Sequence, residues 1–479
     1  MIKVLSPKDK SPRPDKYRDY MDYRGVAEEE EVKQLSPGAV SLGRYLHPDG
    51  RQGQELFLSA DILKRHCAVI GKTGAGKTEG VIVPWAIGLL KNGHSVVTVD
   101  VVGNLTNRLS NEAKRLGCRV WYWDHGDPTS SDSWNWLDAI QLSDDRSIES
   151  AITSILGHPN PNDPHKFFYD RDVCWLRALI PIVKMVYSYN AKPRHLLRLV
   201  AFQDELRNVF RQYPQVRNYD IDLFDFLQFS VDEHSKAVRG LLNALSVFKS
   251  SSVMQVTERS DFLLSDIDSR PTLLVIRHEM GNQKSSQLTS LILDQLFGHV
   301  YNRYAGKASK KIPLNFIIDE APQLKEQIKY EQVLAVARNA NVGICLAAQD
   351  VTQFGDKDQT ARILSNCNTL ITTKGVSPQV AKYLSEQMGK RREQQLRINQ
   401  QRNLVDDFRD IDSGKSFFGV VLDSMFSSGT GVDTVEVPVL GDREIMHPPV
   451  GRYPAVVLAS PVTSKPRVNA SSLGRIISG

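Results

Sequence analysis

The sequence predicts an α/β protein: a mostly parallel central sheet built around a phosphate-binding loop and interrupted by an inserted all-α segment. Three observations predict it. Gly71-Lys72-Thr73-Gly74-Ala75-Gly76-Lys77-Thr78 is a full match to the pattern G-x-x-x-x-G-K-[ST]. Apolar runs of strand type alternate with helical periodicity on either side of that loop, as in a sheet covered on both faces. Between about residues 144 and 265 the strand signal disappears and only helical segments remain.

Taken in order, residues 1–39 are polar, with an acidic run at 28–31 and prolines at 7, 12, 14 and 37, and read as a flexible arm. Residues 40–58 alternate short apolar stretches with Gly and Asp, as in a small β-ribbon. A first part of the nucleotide-binding domain spans 40–143. In it a strand at 67–70 feeds the loop, and Val81, Ile82, Trp85, Ala86, Leu89 and Leu90 give the following segment a helical period. The run at 95–100 reads as a buried strand ending in the carboxylate of Asp100, a helix is expected over 105–116, and another strand at 119–124. An all-α domain follows over 144–265, with helices expected at 173–187, 194–210 and 236–248 and a turn at 157–162. The second part of the nucleotide-binding domain, 266–460, resumes with strands at 272–276, 315–319, 343–348 and 369–372 and a long amphipathic helix over 286–304. Residues 390–402, polar and rich in Gln and Arg, read as helical; 417–422 and 455–458 read as late strands, and 461–479 as a flexible tail.

Composition narrows the function classes. Hydrophobic residues make up 41% and charged residues 24% of 479, as in an ordinary globular protein. The five cysteines, Cys67, Cys118, Cys174, Cys345 and Cys367, are widely separated with no C-x-x-C pair, which argues against zinc and for a reducing cytosol. No apolar run approaches the roughly 20 residues of a membrane-spanning helix. A cytoplasmic protein is therefore expected, reaching the periphery of the inner membrane only through a partner. The net charge of +5 matters for a polyanionic partner only if it gathers on one face.

The chemistry lies at strand ends. Backbone N–H groups of Gly71 to Thr78 can curl around phosphates, with the helix N-terminus adding its positive end. Lys77 would reach the β- and γ-phosphates and Thr78 would ligate Mg²⁺. The strand at 315–319 delivers Asp319 and Glu320 to the same sheet edge. Asp319 would hold the Mg²⁺ shell and Glu320 would polarise the attacking water, so that ATP is the expected substrate. Gln349 ends the next strand, where a polar side chain can sense the γ-phosphate or simply face solvent. Arg338 follows a predicted helix over 330–337, too far along to face its own nucleotide easily. From position alone, a solvated arginine is its simpler reading. The basic stretches, Lys390-Arg391-Arg392 with Arg397 and Arg402, and Arg194, Arg198, Arg207, Arg211 and Arg217, are solvated faces unless a ring of subunits makes them converge. Trp121, Trp123, Trp134 and Trp136 have the two-residue spacing of core packing on a strand.

The run from His66 through Thr78, with Asp319-Glu320-Ala321-Pro322-Gln323-Leu324, Arg338-Asn339-Ala340-Asn341-Val342-Gly343 and Gln349-Asp350-Val351-Thr352-Gln353-Phe354-Gly355, resembles the type IV coupling ATPases, the VirD4/TraG/TraD family. Those proteins are related to the FtsK and HerA DNA pumps within the RecA-like P-loop NTPases. The order of motifs fits over roughly 40–460. The resemblance implies a hexameric ATPase that couples or translocates DNA, largely independently of sequence, or nucleoprotein, in conjugation or type IV secretion, with a relaxase or other secretion-machinery proteins as partners. It also implies that Arg338 acts across a subunit interface and that Gln349 is the sensor. Departures from the family pattern also stand out. Family members usually begin with transmembrane helices, and the turn after the second sheet strand reads Asp100-Val101-Val102-Gly103-Asn104, which leaves the family's following lysine unmatched. Trp136 also replaces the usual Pro after Trp134-Asn135. The alternatives are a HerA-like translocase working with a nuclease in repair or defence, and a nucleotide-switched recruitment platform for protein cargo.

Overall fold

The computed structural model describes residues 40–46, 52–103, 105–157, 166–325, 328–388, 390–398, 430–438, 441–447 and 455–457. The expected arm, the strand at 417–422, most of the turn at 157–162 and the tail lie outside these residues.

An antiparallel ribbon of β1 (Val40–Leu46) and β2 (Gln52–Leu58) comes first, as the alternation at 40–58 predicts. The main sheet comprises β3 (Cys67–Ile70), β4 (Ser95–Asp100), β5 (Arg119–Trp123), β6 (Thr272–Arg277), β7 (Leu314–Ile318), β8 (Val342–Ala348), β9 (Thr369–Thr372) and β12 (Ala455–Val457). Their spatial order is β12-β9-β3-β8-β7-β4-β6-β5. All pairs are parallel except β12 with β9.

These strands read as continuous apolar runs because both faces are covered. On one face Cys67, Val69, Val96, Leu273, Val275, Ile317 and Ala347 pack with Trp85, Leu89 and Leu109 from the Val83–Lys91 and Leu105–Arg115 helices. On the other, Ala68, Val97, Leu274, Phe316 and Leu346 join a larger core. That core runs through the Gln283–Tyr304 helix into the segment between β5 and β6.

In that segment the described residues form helices only. The helix expected over 173–187 begins earlier, at Lys166. The stretch at 194–210 is two helices, Pro193–Ala201 and Gln203–Gln212, broken at Phe202, whose backbone is extended. Gln203 accounts for the corner: its buried amide donates to the carbonyls of Phe226 (2.5 Å) and Phe229 (3.1 Å). The stretch at 236–248 likewise divides into Val231–Ala237, Arg239–Ala244 and a 3-10 turn. The tryptophans are packing residues. Trp123, Trp134 and Trp136 are buried, Trp123 meets Trp134 edge-on at 6.1 Å, and Trp136 stacks on Phe248.

One expectation fails outright. Residues 390–402 were expected to be helical, but Lys390–Ile398 is strand β10, paired antiparallel with β11 (Thr430–Pro438) over nine residues. The partner is rich in β-branched residues and lies far along the chain, so local composition carried no sign of it.

Asp294, on the Gln283–Tyr304 helix, accepts from the Ser154 hydroxyl of the Asp145–Leu156 helix (2.5 Å), where the helical segment meets the sheet's covering helix. Burial raises its carboxyl to about 7, against partial opposition from that hydroxyl and from Lys329. The folded chain thus keeps a proton that the unfolded chain loses near 3.8. This carboxyl's contribution to stability is fully present below that value and is lost as pH rises through 7. Asp294→Asn cannot titrate. Its melting temperature, relative to the unmodified chain, should therefore rise between pH 5 and pH 8, and a pH-independent difference would refute the assignment.

Candidate functional site

β3 ends at Ile70 between β8 and β9, and the chain leaves the sheet there. Gly71 is buried, its N–H donating to Ala348 O at 3.0 Å. The carboxyl ends of β9 and β3 are level, Ile70 opposite Thr372, so the next residues, Gly71 and Thr373, collide if either grows. A Cβ at Gly71 would overlap the Thr373 hydroxyl. Gly74 and Gly76 take φ of 74° and 86°, the left-handed conformation that bends the loop. Among the described residues nothing accepts from the N–H of Gly74 or Gly76. Lys72, Thr73 and Gly74 are exposed, Ala75 and Gly76 half-buried, and Lys77 buried. A loop with a glycine-bent backbone, unpartnered N–H groups and a buried ammonium fits a phosphate chain.

Lys77 does not point into solvent. Its Nζ donates to Gly71 O at 2.6 Å and lies 3.6 Å from Glu320 Oε1. Thr78 opens the helix with a π turn, Thr78–Ile82, in which Val83 N–H reaches back to Thr78 O. Its hydroxyl is 3.5 Å from Asp319 Oδ2. A hydroxyl and a carboxylate so close, beside the loop, are oxygen donors of the kind a hard divalent cation takes.

Asp319 and Glu320 follow β7 at the same edge. Asp319 Oδ1 accepts from the N–H of Glu320 at 3.1 Å. Burial raises the Asp319 carboxyl to about 6, and Glu320 and Asp100 add to the rise while Lys77 opposes it. Glu320 itself adopts φ 53° and ψ 46°, a left-handed backbone that costs a non-glycine residue on the order of 1 kcal/mol. That turn sets its carboxylate between Lys77 and Gln349, whose Nε2 donates to Glu320 Oε2 at 3.3 Å. Lys77, Thr78, Asp319, Glu320 and Gln349 are thus brought together.

Arg338 is not with them. It caps the Tyr330–Ala337 helix before β8 begins, at the opposite sheet edge from Gln349, and is exposed. Seven strand residues separate the two edges, about 20 Å of extended chain. Among the described residues no carboxylate pairs with Arg338.

Asp100 is a cap rather than a ligand. It is buried and accepts from the N–H groups of Gly103 (2.6 Å), Leu105 (3.1 Å) and Thr106 (3.1 Å) and from the Thr106 hydroxyl (2.8 Å). Asn104 of that turn lies outside the described residues. Arg277, at the end of β6, donates to the carbonyls of Asp100 (2.8 Å), Val101 (2.6 Å) and His278 (3.0 Å), so a cation from the neighbouring strand braces the turn. Sequence reading missed Arg277, Thr373 and the ring contacts of His66, because each depends on which strands lie side by side.

Residues 21–410 match the family described as Type IV secretory system conjugative DNA transfer. The chain belongs to this family. Its structure is similar to that of the conjugative coupling protein TrwB. The unbound TrwB structure, lacking an N-terminal segment (TrwBdeltaN70), has a TM-score of 0.57 at 14% identity and covers 94% of this chain and 95% of its own. A TrwB complex with the non-hydrolysable ATP analogue ADPNP gives 0.57 at 15% identity, covering 93% and 94%. A TrwB complex with ADP and Mg²⁺ gives 0.56 at 15%, covering 90% and 89%. At such identities the likeness is one of fold: RecA-like, α/β, with a P-loop. No curated protein matches the chain. No helix among the described residues of this coupling-family chain is long and apolar enough to cross a membrane.

Thr373 Oγ1 is buried without a hydrogen-bond partner, so Thr373→Ala should cost little. Gly71→Ala should destabilise by about 1–3 kcal/mol through overpacking. Combining the two should recover part of that loss in a denaturant titration; strict additivity would refute the contact.

Proposed function

We propose that this chain is an ATP-hydrolysing motor of conjugative transfer, working as a ring, probed most directly at the carboxyl edge of its sheet. The observation that carries the reading is the meeting of Lys77, Thr78, Asp319, Glu320 and Gln349 there, within hydrogen-bond or ion-pair reach. The TrwB complexes with ADPNP and with ADP and Mg²⁺ support ATP and Mg²⁺ as the ligands.

Lys77 exchanges Gly71 O and Glu320 for phosphate oxygens. Glu320, released from the ammonium, orients a water for in-line attack and takes its proton. Thr78 and Asp319 would hold the cation, and Mg²⁺, when bound, would supply charge neutralisation. Gln349 reports on the γ-phosphate through the same carboxylate it already contacts. Arg338, too far from its own loop, offsets charge on a neighbouring subunit's γ-phosphoryl group. The ring, hexameric by the family resemblance, therefore places each nucleotide between subunits. Its cargo is DNA or a relaxase–DNA nucleoprotein, held mainly through phosphates, with membrane machinery reached through partner proteins.

The test is nucleotide binding and ATPase activity with and without single- and double-stranded DNA. Lys77→Ala should lose ATP affinity. Glu320→Gln should bind ATP and lose turnover by roughly 100-fold or more. Normal hydrolysis by the Glu320 variant would refute its role as the base. DNA should stimulate turnover of the unmodified chain, with affinity falling steeply as salt rises. Activity indifferent to DNA would favour the recruitment platform instead.

A further inference from the structure

His66 closes the turn that feeds β3 and stands where three elements meet. It is 3% exposed, and its φ of 63° puts a non-glycine residue in the left-handed region. Its carbonyl accepts from Thr369 N–H at 3.2 Å, at the start of β9. Its Nδ1 accepts from Ile344 N–H at 3.2 Å. β3 pairs with β8 only from Cys67, opposite Cys345, so the ring continues the ladder where the strand gives out. Nε2 then carries the proton and donates to Leu334 O at 2.9 Å, in the last turn of the helix that ends at Arg338.

Only the neutral imidazole can accept at one nitrogen and donate at the other. The ring's pKa is lowered to about 4, chiefly by burial and in smaller part by the nearby Arg338 charge, with the Leu334 bond opposing. The turn packs hard against β8: a Cβ at Gly343 would lie 2.7 Å from Leu63 O. Beyond Arg338 the chain is fixed a second time. Asn341, with φ 58°, donates from its side chain to Lys310 O at 2.8 Å. Of these two anchors, the one at Leu334 leads straight to the phosphate loop, through Cys67–Ile70.

We propose that His66 is a positioning residue that sets Arg338 for the neighbouring subunit's nucleotide and ties it to the strand carrying its own subunit's phosphate loop. This rests on the trans role of Arg338 proposed above. Each subunit would then offer its arginine from a frame attached to its own loop, which gives neighbouring sites a route for coupling.

Subunit mixing tests this. Lys77→Ala subunits offer Arg338 but lack a working loop; Arg338→Ala subunits keep the loop but offer no arginine. Mixed rings regain ATPase activity where an intact loop faces an intact arginine. His66→Asn is then added to one kind of subunit or the other. Asparagine tolerates the left-handed backbone but cannot span both Leu334 O and Ile344 N. Recovered turnover should fall roughly tenfold or more when the change sits in the arginine-offering subunit, and stay within about twofold when it sits in the loop-bearing one. A merely structural role near β3 would damage the loop-bearing subunit at least as much. Equal loss from both placements, loss confined to the loop-bearing subunit, or no loss from either overturns the proposal. Thermal unfolding and nucleotide binding check that the Asn chain is folded; if it is not, His66→Gly, which also accepts the left-handed backbone and lacks both ring bonds, takes its place. Normal hydrolysis by Arg338→Ala alone would refute the trans role first, and is told apart by the mixture containing native His66.

Discussion

Parallel pairing fixes the carboxyl ends of β3, β8 and β7 against one another, Ile70 opposite Ala348 and Ile318 opposite Leu346. Four residues of the phosphate edge lie one or two steps beyond those pairs: Gly71, Gln349, Asp319 and Glu320. A slip of one residue in either pair would exchange the two faces of a strand. Because separate hydrophobic cores cover both faces, such a slip would also move every side chain into the wrong core. The chemistry is therefore held in place by apolar packing far larger than itself. The Lys77–Glu320 and Thr78–Asp319 contacts decorate a register that Val69, Ile317 and Leu346 already dictate.

That dependence explains what could be read in advance. Strands buried on both faces are unbroken apolar runs, so the seven parallel strands and the residues ending them were legible, as were Lys77, Thr78, Asp319 and Glu320. The helical character of the segment after β5 was legible too, though not its corners. The break at Phe202 exists because Gln203 turns inward to two distant carbonyls, a contact that no local period contains. The polar stretch beginning at Lys390 looked helical because its partner strand lies elsewhere in the chain. The Arg277 brace and the Gly71–Thr373 contact were invisible for the same reason. Each joins residues that become neighbours only through strand order.

Backbone strain marks the same places. Among the described residues the non-glycine positions with left-handed φ are His66, Ser188, Glu320 and Asn341. Three of them bear on the proposed reaction, and each is fixed by its surroundings. Glu320 is held by the Asp319 carboxylate at its N–H, His66 by bonds at its carbonyl and both ring nitrogens, and Asn341 by Lys310 O. Left-handed backbone is unfavourable by on the order of 1 kcal/mol per residue, so it persists where several bonds over-determine it. Here it re-aims chains that leave a strand or approach one, Glu320 at the phosphate edge and Asn341 at the arginine edge.

Charge at the phosphate edge is arranged to be completed from outside. Asp319, Glu320 and the more distant Asp100 gather around a single buried ammonium, and the Asp319 carboxyl rises to about 6 mainly because burial disfavours its charge. Near neutral pH that carboxylate is mainly ionised but uncomfortable, so a divalent cation beside it would relieve both desolvation and repulsion. Phosphates alone would worsen the crowding of negative charge, and a cation alone would compete with Lys77. In the proposed reaction the two together, a polyphosphate with its cation, would balance the site: the ammonium would turn to the phosphates, Asp319 would take the cation, and Glu320 would lose its ion-pair partner. On that proposal the Lys77 contact would mask the Glu320 base until the substrate arrives, and the Gln349 contact would keep it aimed as the ammonium departs.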